Sequence, residues 1–86
     1  MNLNKQNLIN KIIFKSKYRG TKEMDIFVTS FTKSIINELN INELNDLVEI
    51  IDLDDQQILK ICKDQIKNNN YNEKIVSRLI KFKDKY

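Results

Sequence analysis

Eighty-six residues make one domain with one core, and a formal charge of +3 with 41% hydrophobic residues describes a folded globular chain rather than a disordered one. Histidine is absent and cysteine occurs once, so neither a Ser-His, Cys-His or histidine-metal constellation nor an internal disulfide can form. No apolar run approaches the roughly 20 residues of a membrane span, and the N-terminus lacks a signal-peptide core, so the expectation is a cytoplasmic domain poorly equipped for catalysis, with no membrane insertion and no metal.

Taken in chain order, the apolar residues fall into five stripes at helical spacing. Leu8, Ile9, Ile12 and Ile13 form the first. Gly20, the single glycine, marks the first break, as the one residue that takes a positive φ without a Cβ penalty. Met24, Phe27, Val28, Phe31, Ile35 and Leu39 make a longer second stripe, with Phe27 and Phe31 as core residues one helical turn apart. Asn40 with Glu43 forms a capping box, and Leu39 with Leu44 a hydrophobic staple, ahead of the third stripe of Leu44, Leu47, Val48 and Ile51. Asp54 with Gln57, and Leu53 with Ile58, repeat the device ahead of Ile58, Ile61, Cys62 and Ile66. Cys62 on that stripe reads as a buried, inert thiol. The run Asn68-Asn69-Asn70 favours a turn, with Asn70 and Glu73 starting a last helix that carries Ile75, Val76, Leu79 and Ile80. Lys81, Lys83 and Lys85 are expected to form a frayed, solvated end. The predicted fold is all-α: a compact bundle of about five short helices, one domain over residues 1–86, with a radius of gyration near ~12 Å.

The small net charge conceals a strong segmentation. Residues 1–22 carry six basic side chains and no acid; residues 23–55 carry nine acids against Lys33; residues 56–86 carry eight bases and three acids. A nucleic-acid binder gathers positive charge with little acid nearby. Here the acidic middle can cancel the basic ends on folding, so nucleic acid is not the expected partner. A small helical nucleic-acid-binding or regulatory interaction module stays as the alternative reading.

The most informative stretch runs from Lys11 to Asp25, through Lys15, Tyr18, Arg19, Gly20, Thr21, Lys22, Glu23 and Met24. It resembles the succinate dehydrogenase assembly factor 2 family, called SdhE in bacteria, which is marked by an Arg-Gly-x-x-Glu motif after a basic first helix. Arg19, Gly20 and Glu23 supply the motif; Asp25, Thr21, Lys22 and Met24 fit its extended form, and Asp52-Leu53-Asp54 fits the family's later turn. The resemblance covers roughly residues 8–82. Two departures stand out: Lys17 replaces a common tryptophan, and Asp55, Gln56 and Ile58 occupy places where the fourth helix usually carries Leu-Tyr or Leu-Phe and then tryptophan.

The resemblance implies a non-enzymatic, chaperone-like assembly factor. Such a factor binds the flavoprotein subunit of succinate dehydrogenase, and sometimes of fumarate reductase, and promotes covalent FAD attachment there. FAD is then attached within the partner and not held stably by the factor, which is expected to be a monomer. Covalent attachment uses a histidine in these partners and this chain has none, so the bond forms inside the partner and the factor supplies only binding energy. The implied partner-binding residues are Arg19, Gly20, Glu23, Asp25, Tyr18, Lys15 and Lys11, with Arg19 as the first interface anchor. Each has a plainer role beside it. Gly20 is also a turn glycine, and Glu23 and Asp25 also complement the dipole of the second helix. Tyr18 serves equally as a packing aromatic, while Lys11 and Lys15 also suit a solvated helix face. Gly20→Arg is expected to block binding while leaving the melting temperature nearly unchanged.

Overall fold

Apart from Leu39, which follows the second helix, and Ile66, which lies outside the described residues, each apolar stripe falls on a helix in the computed structural model, which describes residues 3–17, 19–64 and 71–85. The elements are α1 (Leu3–Lys15), α2 (Lys22–Ile35), a 3-10 turn (Ile36–Glu38), α3 (Ile41–Ile51), α4 (Asp55–Asp64) and α5 (Glu73–Lys85), with no strand among the described residues. All five helices feed one core. Ile12 comes from α1, Phe27 and Phe31 from α2, Leu44 and Leu47 from α3, Ile58 and Cys62 from α4, and Ile75 and Leu79 from α5. The Phe82 ring of α5 lies 5.8 Å from that of Phe27 and 5.7 Å from that of Phe31, tilted against both, which locks α5 onto α2. The radius of gyration is 12.3 Å.

The helix starts follow from the local chemistry. Asn40 Oδ1 accepts the Glu43 amide at 2.8 Å while Glu43 Oε1 accepts the Asn40 amide at 3.0 Å. Asp54 and Gln57 make the same reciprocal pair at 2.8 and 3.2 Å. Each box satisfies amides that a helix start otherwise leaves open. Thr21 caps α2 by accepting the Met24 amide at 3.2 Å.

Four expectations change. The second stripe is not one helix through Leu39: α2 ends at Ile35 and tightens into a 3-10 turn, which sets both Ile36 and Leu39 into the core before Asn40 starts α3. Residues 68–70, including the proposed cap Asn70, lie outside the described residues, and it is Asn72 that caps α5. Its Oδ1 accepts the Lys74 and Ile75 amides while its Nδ2 donates to Asp46 at 2.8 Å. The lysine tail continues α5 as far as Lys85; Lys81, Lys83 and Lys85 are exposed, and the last two favour the negative end of the helix dipole. Gly20 does not adopt a positive φ; what favours glycine there is a close approach to the Asp55 side chain.

Folding also cancels the charge segments. Lys15 pairs with Asp52 at 3.2 Å, Arg19 with Asp55 at 2.8 Å, Lys74 with Glu43 at 3.0 Å and Arg78 with Glu38 at 2.9 Å. In every pair the base comes from an end of the chain and the acid from its middle third.

Candidate functional site

The motif lies on the turn between α1 and α2. Before it, the chain leaves α1 through Ser16, a fully buried residue whose hydroxyl donates to the Ile13 carbonyl at 2.6 Å. Thr29 of α2 donates in turn to the Ser16 carbonyl at 3.3 Å. That anchors the end of α1 beside the middle of α2 and fixes where the following residues emerge.

Arg19 turns inward. Its side chain is 9% exposed, with Nε donating to Asp55 Oδ1 at 2.8 Å. One terminal nitrogen donates to the Ile51 carbonyl at 2.6 Å, and the other to the Leu53 carbonyl. Those carbonyls belong to the end of α3 and the turn after it, where a helix leaves acceptors without internal partners. A planar guanidinium supplies its donors in a fixed fork, so it caps α3 and neutralises the first residue of α4 together. Asp55 also sits at the positive end of the α4 dipole, which favours its carboxylate.

Gly20 extends the clamp. Its amide donates to Asp55 Oδ2 at 2.9 Å, so the two oxygens of one carboxylate hold two consecutive residues of the motif. A Cβ built on Gly20 would stand 2.9 Å from that same oxygen. Glycine is therefore favoured by a close approach to the Asp55 carboxylate rather than by left-handed backbone. The expectation that Gly20→Arg leaves stability nearly unchanged therefore depends on how easily the Asp55 carboxylate moves aside, because any side chain at position 20 must displace it.

The other sequence-derived candidates divide. Glu23 is exposed in the first turn of α2. Asp25 is half-buried, and its Oδ1 is shielded from solvent with no hydrogen-bond partner. Lys15 reaches Asp52 and adds a second, more exposed link between the α1–α2 and α3–α4 turns. Lys11 is exposed on α1, one turn before Lys15. Tyr18 lies outside the described residues. The motif thus presents Gly20 and Glu23 outward, while Arg19 faces into the chain.

Residues 10–83 match the family described as the flavinator of succinate dehydrogenase. The chain belongs to this family. A curated relative from Arabidopsis thaliana, named succinate dehydrogenase assembly factor 2, mitochondrial, is 26% identical over 62 residues, which cover 72% of this chain and 33% of that protein. The match therefore spans about a third of the relative's length. No solved structure matches the chain.

No described helix is long and apolar enough to cross a membrane, and the described residues contain no acid or cysteine cluster able to hold a metal ion. Cys62 is buried in the core, and burial raises the pKa of its thiol, which keeps it protonated and unreactive. Asp55, whose carboxylate holds Arg19 and the Gly20 amide, is the residue of the site that sequence reasoning missed. It registered only as a departure in the fourth helix, although an acid at a helix start facing a basic motif residue is a usable signal once the two turns are known to meet.

Proposed function

We propose that this protein binds the flavoprotein subunit of succinate dehydrogenase, or of the related fumarate reductase, and promotes covalent attachment of FAD to it without catalysing a reaction of its own. The family match across residues 10–83 carries this reading. The geometry adds a rigid, solvent-facing turn at Gly20 and Glu23, flanked by a helix start and backed by an internal ion pair. A preorganised turn with no side chain at its apex lets another backbone approach closely at low entropic cost. The work of such a contact is to favour the partner conformation that holds FAD and the accepting histidine in register, with the flavin supplying the reactivity. FAD belongs to the partner in this reading.

Arg19 enters as the residue that holds the turn, and Gly20 with Glu23 as the surface offered to the partner. The basic ends that would serve a nucleic-acid module are partly neutralised by the acidic middle, which weakens that alternative. The test is co-expression with a flavoprotein subunit in a host that lacks its own factor, followed by flavin fluorescence in a denaturing gel. Covalent flavin should rise when the factor is present; equal fluorescence with and without it overturns the reading.

A further inference from the structure

We propose that Asp55, at the start of α4, is the positioning residue of the partner-binding turn. The inference rests on the functional reading above and deepens it: the surface presented at Gly20 is set by a residue of the α3–α4 turn, outside the motif altogether. One carboxylate accepts Arg19 Nε on Oδ1 at 2.8 Å and the Gly20 amide on Oδ2 at 2.9 Å. Two adjacent residues are held by two oxygens in a fixed plane, so the orientation of the Gly20 peptide follows that of the carboxylate.

The carboxylate is itself fixed from several sides. The same guanidinium that it accepts is tied to the Ile51 and Leu53 carbonyls, and Asp54 and Gln57 lock the start of α4 through their reciprocal bonds. Lys15 and Asp52 brace the same pair of turns from the exposed side. The Asp55 side chain is 22% exposed, so the pair is shielded from solvent more than the other ion pairs of the basic ends, yet still lies at the surface where a docking chain would pass. Asp55 does not need to touch the partner. It fixes the peptide that does, and it stands where any Cβ at Gly20 would intrude.

The experiment compares the full-length wild type with Asp55→Asn, Asp55→Glu, Gly20→Ala and the Asp55→Asn/Gly20→Ala double variant. Affinity for the purified flavoprotein subunit is read well below the melting transition, and hydrogen exchange is read at the Gly20 amide. Asparagine must turn an NH2 towards one of the two donors, which removes one charge-assisted bond. At least an about tenfold weaker affinity is then expected, together with faster Gly20 exchange and unchanged helical circular dichroism. Asp55→Glu should recover part of the affinity. Gly20→Ala disturbs the same contact from the other side, so the double variant should bind no more weakly than the weaker single variant. Wild-type affinity in Asp55→Asn with a freely exchanging Gly20 amide overturns the proposal. So does fully additive loss in the double variant; where Asp55→Asn folds poorly, the same cycle is run with Asp55→Glu, Gly20→Ala and the Asp55→Glu/Gly20→Ala double variant. Failure of the wild type to bind the subunit at all overturns the functional reading instead, and is recognised by protected Gly20 exchange without affinity.

Discussion

Arg19 Nε lies 2.8 Å from Asp55 Oδ1 although 36 residues separate them in the chain. The contact joins the α1–α2 turn to the α3–α4 turn and turns a short sequence motif into part of the tertiary scaffold. Lysine at position 19 keeps the charge but offers one ammonium group in place of a fork, so it cannot serve Asp55 and both carbonyls together. Arg19→Lys is expected to cost about 2 kcal/mol, since it leaves partly buried acceptors without donors. Urea denaturation of the two proteins measures this directly; equal midpoints would show that the fork contributes nothing.

Gly20→Ala and Gly20→Arg share the Cβ that meets Asp55 Oδ2 at 2.9 Å. They should therefore share a stability loss of about 1 kcal/mol, read as similar drops in melting temperature. The arginine variant adds bulk on the solvent side, where the proposed partner docks, and should lose binding beyond the alanine variant. A melting temperature unchanged in both would mean that Asp55 moves aside freely.

Thr32 is fully buried on α2, and its hydroxyl has no hydrogen-bond partner. Valine has nearly the same shape without the polar atom, so Thr32→Val removes a desolvation cost and leaves no cavity. It should stabilise the protein by about 1 kcal/mol, a rise in melting temperature of about 4–8 °C for a domain of this size. Scanning calorimetry decides the sign.

The exposed ion pairs set the response to acid. The Glu38 carboxyl titrates below its ordinary value through its hydrogen bond and charge contact with Arg78, and Glu43 does so through the Asn40 amide and then Lys74. A depressed folded-state pKa stabilises the fold above the unfolded value of 4.5, and that contribution is lost as pH falls through the folded value. Melting temperature should therefore fall below about pH 4.5. Arg78→Ala should flatten the fall, as should about 1 M salt, because both pairs are solvent-exposed. A variant curve parallel to the wild type would remove Glu38 from the account.

Helix α3 and the start of α4 were legible because their determinants are local. Asn40 with Glu43 and Asp54 with Gln57 lie three residues apart, and the bonds they make depend on nothing beyond one helical turn. The end of α2 was less legible. Leu39 keeps the helical spacing of its stripe, but burying both Ile36 and Leu39 required a tighter turn that only the neighbouring helices impose. Phe82 was missed for a related reason: it sits in a lysine-rich segment, and its place between Phe27 and Phe31 depends on where α5 lies.

Length, composition and apolar spacing by themselves determined an all-helical domain with one core, and the absence of histidine excluded histidine-dependent catalysis and histidine metal ligation. The near-neutral charge was visible too, as basic ends around an acidic middle. Which base meets which acid was decided only by the tertiary structure, since Lys15, Arg19, Lys74 and Arg78 find partners far along the chain. The same holds for the motif. Its residues could be named from the sequence, but the inward turn of Arg19 and the close approach of Gly20 to Asp55 arise from the packing of two turns against each other. Helical periodicity is a short-range property of the backbone, whereas a carboxylate shared between distant residues exists only once the helices have docked.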